Sequence, residues 1–161
     1  MKTIHVKIAD LAIIKDRGML VTVGLGSCVG VAIYDYGKKV GGLAHIFLAD
    51  SSVFKNKGNH FNHAKFADTA IPAMVQEIEK MGGNRRRTYA KIAGGSQLFN
   101  FKKIGINVGD SNIKSVRHAL RELGIPIRGE DVGGSHGRTM RFFVDSGKVV
   151  ISTVGKGEKE I

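Results

Sequence analysis

Apolar and polar positions alternate with a period of two through the first third of the chain, and apolar positions recur at helical spacing in two later stretches. TIHVKIADLAII, residues 3 to 14, alternates enough for a first strand, and MLVTVGLG for a second. VGVAIYD and VGGLAHIF are two further runs. They flank Asp35-Tyr36-Gly37-Lys38, a turn cluster with glycine where a left-handed residue is wanted. A hairpin closed by a two- or four-residue loop sets Asp35 against Lys38, Val31 against Gly42 and Cys28 against His45, at contact distance for a thiol and an imidazole. Val29, Val31, Ile33, Val40 and Ala44 then share one apolar face. Cys28, Gly30, Ala32, Gly41, Leu43 and His45 share the other, a surface of small residues suited to floor a cleft. A three-residue loop would slip the pairing by one and send His45 to the opposite face; the alternation favours the first register.

After the hairpin, ADSSVFKNKGNHFN reads as a long polar loop. From Asn62 to Met81 the positions Phe66, Ala67, Ala70, Ile71, Met74, Val75, Ile78 and Met81 predict a helix, with Asn62 as N-cap, Gly82-Gly83 as the stop and Pro72 expected to kink or split it. TYAKIAGG predicts a strand. A second helix is expected from about Ser111 to Leu123, capped by Asp110 or Ser111 and ended by Gly124. The last third holds PIRGEDVGGSHGR, read as a glycine-rich loop, then strands at TMRFFVD and KVVISTV and a charged tail over about 156–161 expected to fray. Seven or eight strands with two substantial helices, not in strict β-α-β alternation, indicate α+β: a layered sandwich of mixed or antiparallel sheet with the helices packed outside.

The chain has 161 residues, which suits one domain over 1–161. Its single cysteine cannot make an internal disulfide, and MKTIHVKIADL lacks a secretory pattern, so a cytoplasmic protein is expected. No run approaches the roughly 18 consecutive apolar residues of a membrane span. The formal charge of +11 suits a polyanionic or acidic partner. With 7% aromatics and no helix-turn-helix or RNP pattern, a basic nucleic-acid-binding module remains only an alternative, and Arg85-Arg86-Arg87 is more simply a solvated corner.

The chemistry concentrates at VTVGLGSCVG. A thiol attacks as thiolate, so a catalytic cysteine needs a neighbour that takes its proton, and His45 is placed to do so for Cys28. The turn at Gly24-Leu25-Gly26-Ser27 offers backbone amides, those near Gly26 and Ser27 being candidates to hold an oxyanion, and Thr22 is near enough to orient the imidazole. The bland alternative is a small buried hydrophobe, but a glycine turn is an uneconomical way to place one. GLGSCVG is not a dinucleotide fingerprint, because Val29 stands at the third glycine position and a strand follows. GGSHGR offers Arg138 to an anion, with a structural turn the simpler reading. His60 and His63, with His5, His118 and His136, lack a metal-ligand pattern, so no metal or other cofactor is expected.

VGLGSCVGVAIYD, GGLAHIFL, AKFADTAIPAMV, KIAGGSQLF, IGINVGDSNI and DVGGSHGRTMRFFVDSG together resemble, in order and over nearly the whole chain, the CheD family of chemoreceptor glutamine deamidases. The resemblance implies a hydrolase acting on side-chain amides, converting glutamines of methyl-accepting chemotaxis receptors to glutamates. It implies methylesterase activity in some members, a CheC-type phosphatase as regulatory partner, and a fold like the cytotoxic necrotizing factor-type cysteine hydrolases. The family's nucleophile, histidine and threonine fall on Cys28, His45 and Thr22. A receptor- and phosphatase-binding regulator without catalysis is the other reading that the family leaves open.

Overall fold

In the computed structural model, which describes residues 1–52, 62–97 and 107–161, ten strands and two helices form three layers. The amino-terminal alternation is not one strand. Thr3–His5 (β1) and Leu11–Lys15 (β2) belong to different sheets, because residues 6 to 10 cross between them with Ala9 in the left-handed region at φ 62°. Met19–Leu25 (β3), Val29–Asp35 (β4) and Val40–Ile46 (β5) follow as expected. Thr88–Gly94 (β6), Ile127–Val132 (β7), Arg138–Phe143 (β8), Lys148–Thr153 (β9) and Gly157–Glu160 (β10) complete the strands.

One sheet has the order β1-β3-β8-β9-β10 and the other β2-β5-β4-β6-β7. β1 with β3 and β6 with β7 are parallel; the remaining pairs are antiparallel. The fold is therefore α+β, with mixed sheets in a layered sandwich. Two expectations fail at its edges. PIRGEDVGGSHGR is not all loop, since its first half forms β7, and the charged tail does not fray, since β10 pairs with β9. Both are edge strands carrying charge rather than apolar alternation, the usual way an edge avoids pairing with another chain.

Ala67–Lys80 (α1) and Val108–Glu122 (α2) cover the outer face of the second sheet. Asn62 caps a short 3-10 turn at His63–Lys65 instead of α1, and α1 runs unbroken through Pro72 rather than splitting. The cap of α2 is Asn107, whose side chain accepts from the Asp110 amide, not Asp110 or Ser111. The expected loop at 49–62 lies mostly outside the described residues, as does His60.

Every residue of β4 and β5 is buried, because their sheet is covered on both faces. Val29, Val31, Ile33, Val40 and Ala44 face the helices as the alternation predicts. The small-residue face is not a cleft floor. It packs against the other sheet, where a Cβ on Gly30 would lie 2.7 Å from Met140 Sδ and one on Gly41 would lie 2.7 Å from Phe142 Cζ.

The turn between β4 and β5 is Tyr36 to Lys39, one position later than expected, so Asp35 pairs with Val40 and His45 with Gly30. Asp35, fully buried, organises this end. It accepts from the amides of Gly37, Lys38 and Asn84 and from Arg87, which explains why Arg87 is not simply a solvated corner. Burial alone would push its pKa up, but those donors outweigh it and hold the carboxyl below its usual value. The carboxylate's stabilisation is therefore complete above the ordinary carboxylate range and is lost as pH falls through the lowered value. Asp35→Ala should reduce the unfolding free energy by roughly 1 to 3 kcal/mol, because four donors lose the buried carboxylate that accepts from them. Urea unfolding at neutral pH measures it, and a loss under about 0.5 kcal/mol would refute the role.

Candidate active site

Thr22, Cys28 and His45 converge where the chain passes from one sheet to the other. β3 lies in the first sheet and β4 in the second, so residues 26 to 28 make the crossing at one end of the sandwich. A bulge between Thr22 and Leu25, with Gly24 at φ 74°, bends β3 into that crossing. Thr22 points from β3 into the space between the sheets, and His45 points into it from β5. Both are fully buried, and Cys28 is 7% exposed.

Thr22 Oγ1 donates to the Val6 carbonyl at 2.7 Å and lies 2.6 Å from His45 Nδ1. A hydroxyl has one hydrogen, and Val6 takes it. Nδ1 must therefore carry the hydrogen of the second bond, leaving the lone pair on Nε2. The residue 6–10 crossing does further work here: the Ala9 amide donates to the His45 carbonyl, and the His45 amide donates to Asp10. Backbone and ring of His45 are thus both fixed from a segment that the alternation reads as featureless strand.

The two-position shift in register changes how His45 meets Cys28. It leaves both on the same face, since side chains repeat every two residues, but makes them diagonal neighbours rather than directly opposed. His45 Nε2 is buried and has no hydrogen-bond partner among the described residues, the thiol included. Burial lowers the His45 pKa to about 4. It also pushes the Cys28 thiol above its ordinary value, against a smaller lowering by the cysteine's own amide. The resting pair is a neutral imidazole with its acceptor nitrogen open and a protonated thiol.

The glycine turn is held by its carbonyls. Gly26 accepts from the amide and hydroxyl of Ser96, each at 2.8 Å, Ser27 from Asn112 Nδ2 at 2.9 Å, and Cys28 from the Gly95 amide at 2.8 Å. The Gly26 amide is used within the turn, donating to Gly24 at 3.0 Å, so it is not an oxyanion donor. The amides of Ser27 and Cys28 donate to no carbonyl among the described residues. Gly94 is required beneath them: its φ is 107°, and a Cβ there would meet the Cys28 carbonyl oxygen at 2.3 Å. Ser96 and Asn112 carry no mark of their own in the sequence. Neither belongs to a residue pattern that names chemistry, and the only signal for them is that KIAGGSQLF and IGINVGDSNI are among the family's distinctive blocks.

Other sequence candidates have structural partners. Arg138, 8% exposed, pairs with Asp131 and donates to the Gly133 carbonyl, so its guanidinium is spent inside the fold. Arg85 pairs with Glu79. Among the described residues no group of three or more His, Cys, Asp or Glu side chains is placed to hold a metal, and no helix is long and apolar enough to cross a membrane.

The family model described as CheD chemotactic sensory transduction matches residues 47–153. A Clostridium botulinum (strain Hall) protein, named probable chemoreceptor glutamine deamidase CheD, is 48% identical over 100% of this chain and 99% of its own length. A Clostridium novyi (strain NT) protein of the same name is 50% identical over 98% of this chain and 97% of its own. The family-model match begins after Thr22, Cys28 and His45 and says nothing of those three positions.

A neutral resting pair has a measurable consequence. The alkylation rate of Cys28 by iodoacetamide should climb only at alkaline pH, above the ordinary thiol range, with no inflection between about pH 5 and 8 where a thiolate-imidazolium pair would titrate. A mid-range step in the rate profile would show that the pair is ionised at rest.

Proposed function

This chain belongs to the CheD family, and from that premise we propose that it is a cysteine-dependent protein-glutamine deamidase acting on methyl-accepting chemoreceptors in the cytoplasm. The observation that carries the reading is the Thr22–His45 hydrogen bond, which leaves Nε2 as an unprotonated acceptor on the face it shares with the only cysteine.

Cys28 Sγ attacks the carbonyl carbon of a glutamine side-chain amide as its proton passes to His45 Nε2. The amides of Ser27 and Cys28 hold the oxyanion of the tetrahedral intermediate. The imidazolium returns the proton to the amide nitrogen, the C–N bond breaks, and ammonia leaves a thioester. His45 then takes a proton from water, the hydroxide adds to the thioester carbon, and the C–S bond breaks to give glutamate with the sulfur reprotonated. The thiol and Nε2 share no hydrogen bond at rest, and the substrate brings them together; such contacts commonly tighten only in the complex. A glutamyl methyl ester enters the same thioester with methanol as leaving group, which accommodates methylesterase activity. A CheC-type phosphatase is the regulatory partner of this reading.

The pH dependence has a definite sign. His45 must be unprotonated to act as base, and its pKa of about 4 lies below the ordinary histidine value. Activity should therefore persist as pH falls through the ordinary histidine range and decline only towards pH 4. Incubation with a receptor cytoplasmic fragment, read by peptide mass spectrometry, provides the assay. Site-selective conversion of glutamine to glutamate is expected from the intact protein. Cys28→Ala and Cys28→Ser should give essentially none, and His45→Ala should lose more turnover than Thr22→Ala. Conversion by Cys28→Ala would overturn the mechanism, and absence of conversion by the intact protein would favour a binding regulator.

A further inference from the structure

Of the three carbonyls that hold the nucleophile turn in place, that of Ser27 alone is gripped by a side chain from a helix. Asn112, in the second turn of α2, is fully buried. It donates one amide hydrogen to Ser27 O at 2.9 Å and the other to Phe47 O at 3.1 Å, just past the end of β5 and two residues after His45. Both partners are carbonyl oxygens, which only accept, so the side-chain nitrogen must face them. The price is that Asn112 Oδ1 is buried with no donor among the described residues. An orphaned buried acceptor is unfavourable, and it stands against the two backbone carbonyls that the same side chain satisfies, so the side chain is fixed by what it holds rather than by its own burial.

In a trans peptide the C=O and the following N–H point in opposite directions. Asn112 draws the Ser27 carbonyl inward onto α2, which turns the Cys28 amide the other way. That amide lies against its own thiol, where it is the one influence lowering the thiol's otherwise raised pKa. We propose that Asn112 is a positioning residue: it orients the Ser27–Cys28 peptide so that the Cys28 amide faces the reacting carbonyl oxygen, and it ties that peptide to the end of the strand that carries His45. The proposal rests on the deamidase reading above and deepens it.

The test compares Asn112→Leu with Ser115→Ala, using turnover on the receptor fragment and the pH profile of Cys28 alkylation. Ser115 makes a comparable bond from α2 to the Ala49 carbonyl at 2.9 Å without touching the nucleophile turn. Asn112→Leu should lower kcat roughly ten- to a hundredfold with KM changed less than about twofold, and should move the alkylation profile to higher pH. Ser115→Ala should leave both as in the intact protein. If Asn112→Leu does not fold, Asn112→Ser, which keeps one donor, should show the same changes at smaller size. Unchanged kcat and an unmoved alkylation profile in a folded Asn112 variant would overturn the proposal, as would an equal loss of kcat in Ser115→Ala. Alkylation needs no receptor. A moved profile beside an intact protein that converts no glutamine would overturn the deamidase reading while leaving the orienting role in place.

Discussion

The two sheets lie close together because β4 and β5 present glycine where the opposite sheet presents its largest side chains. Gly30 sits under Met140 and Gly41 under Phe142, each at a distance no Cβ would tolerate. That approach lets a side chain as short as threonine span from one sheet to a histidine on the other. It also seals the histidine from water, and an imidazole that cannot be hydrated is held neutral. A wider separation would let water in and return His45 towards its ordinary titration. Close packing, usually a matter of stability, here sets a protonation state.

The second consequence falls on the crossing at residues 26 to 28. A chain leaving one sheet for another abandons its ladder partners, and the stranded backbone groups must be satisfied in some other way. The carbonyls are satisfied from beneath by Gly95, Ser96 and Asn112. The segment that carries Gly95 and Ser96 is itself backed by the 133–137 loop, where Gly133 donates to the Gly94 carbonyl and Gln97 donates to that of Gly134. Gly94, Gly95 and Gly109 permit the stacking, since a Cβ on Gly109 would meet the Gly95 carbonyl oxygen at 2.5 Å. With the carbonyls taken inward, the amides of Ser27 and Cys28 are left for the thiol side. The oxyanion site of the proposed reaction is the complement of the way the turn is anchored.

The faces of the central hairpin were legible in sequence, because its strands alternate clearly and both faces are buried. The error of register was harmless for a physical reason: a shift of two positions preserves every side chain's face, although it made His45 and Cys28 diagonal. The break between β1 and β2 was not legible, since Ala9 in a left-handed conformation carries none of the glycine or asparagine that normally marks one. β7 and β10 were missed because edge strands wear charge. Asn112 was out of reach for a different reason. Its partners are carbonyls more than 60 residues away, and every residue has a carbonyl, so no composition or spacing marks them. Gly26 and Ser27 look alike as amide donors in the sequence, and the fold separates them by consuming the Gly26 amide within the turn.

The excess positive charge has no comparable structural task. Several acidic side chains are engaged in holding the fold: Asp35 at the hairpin turn, Asp131 between Arg138 and Lys159, Glu130 with Arg117, Glu158 with Arg141. The chain still carries 25 lysines and arginines against 14 acids. Such an imbalance disfavours the compact state through self-repulsion, and it acts over roughly the 8 Å screening length of physiological salt. The charge is thus better understood through what approaches the protein than through what holds it together. In the proposed reading a basic surface speeds encounter with an acidic substrate, and it does so without altering the neutral pair at the sheet crossing. Recognition and chemistry are thereby separated. In the proposed reaction long-range charge gathers an acidic partner, and the buried pair, inert while both groups are neutral, acts on an amide carbonyl delivered to the amides of Ser27 and Cys28.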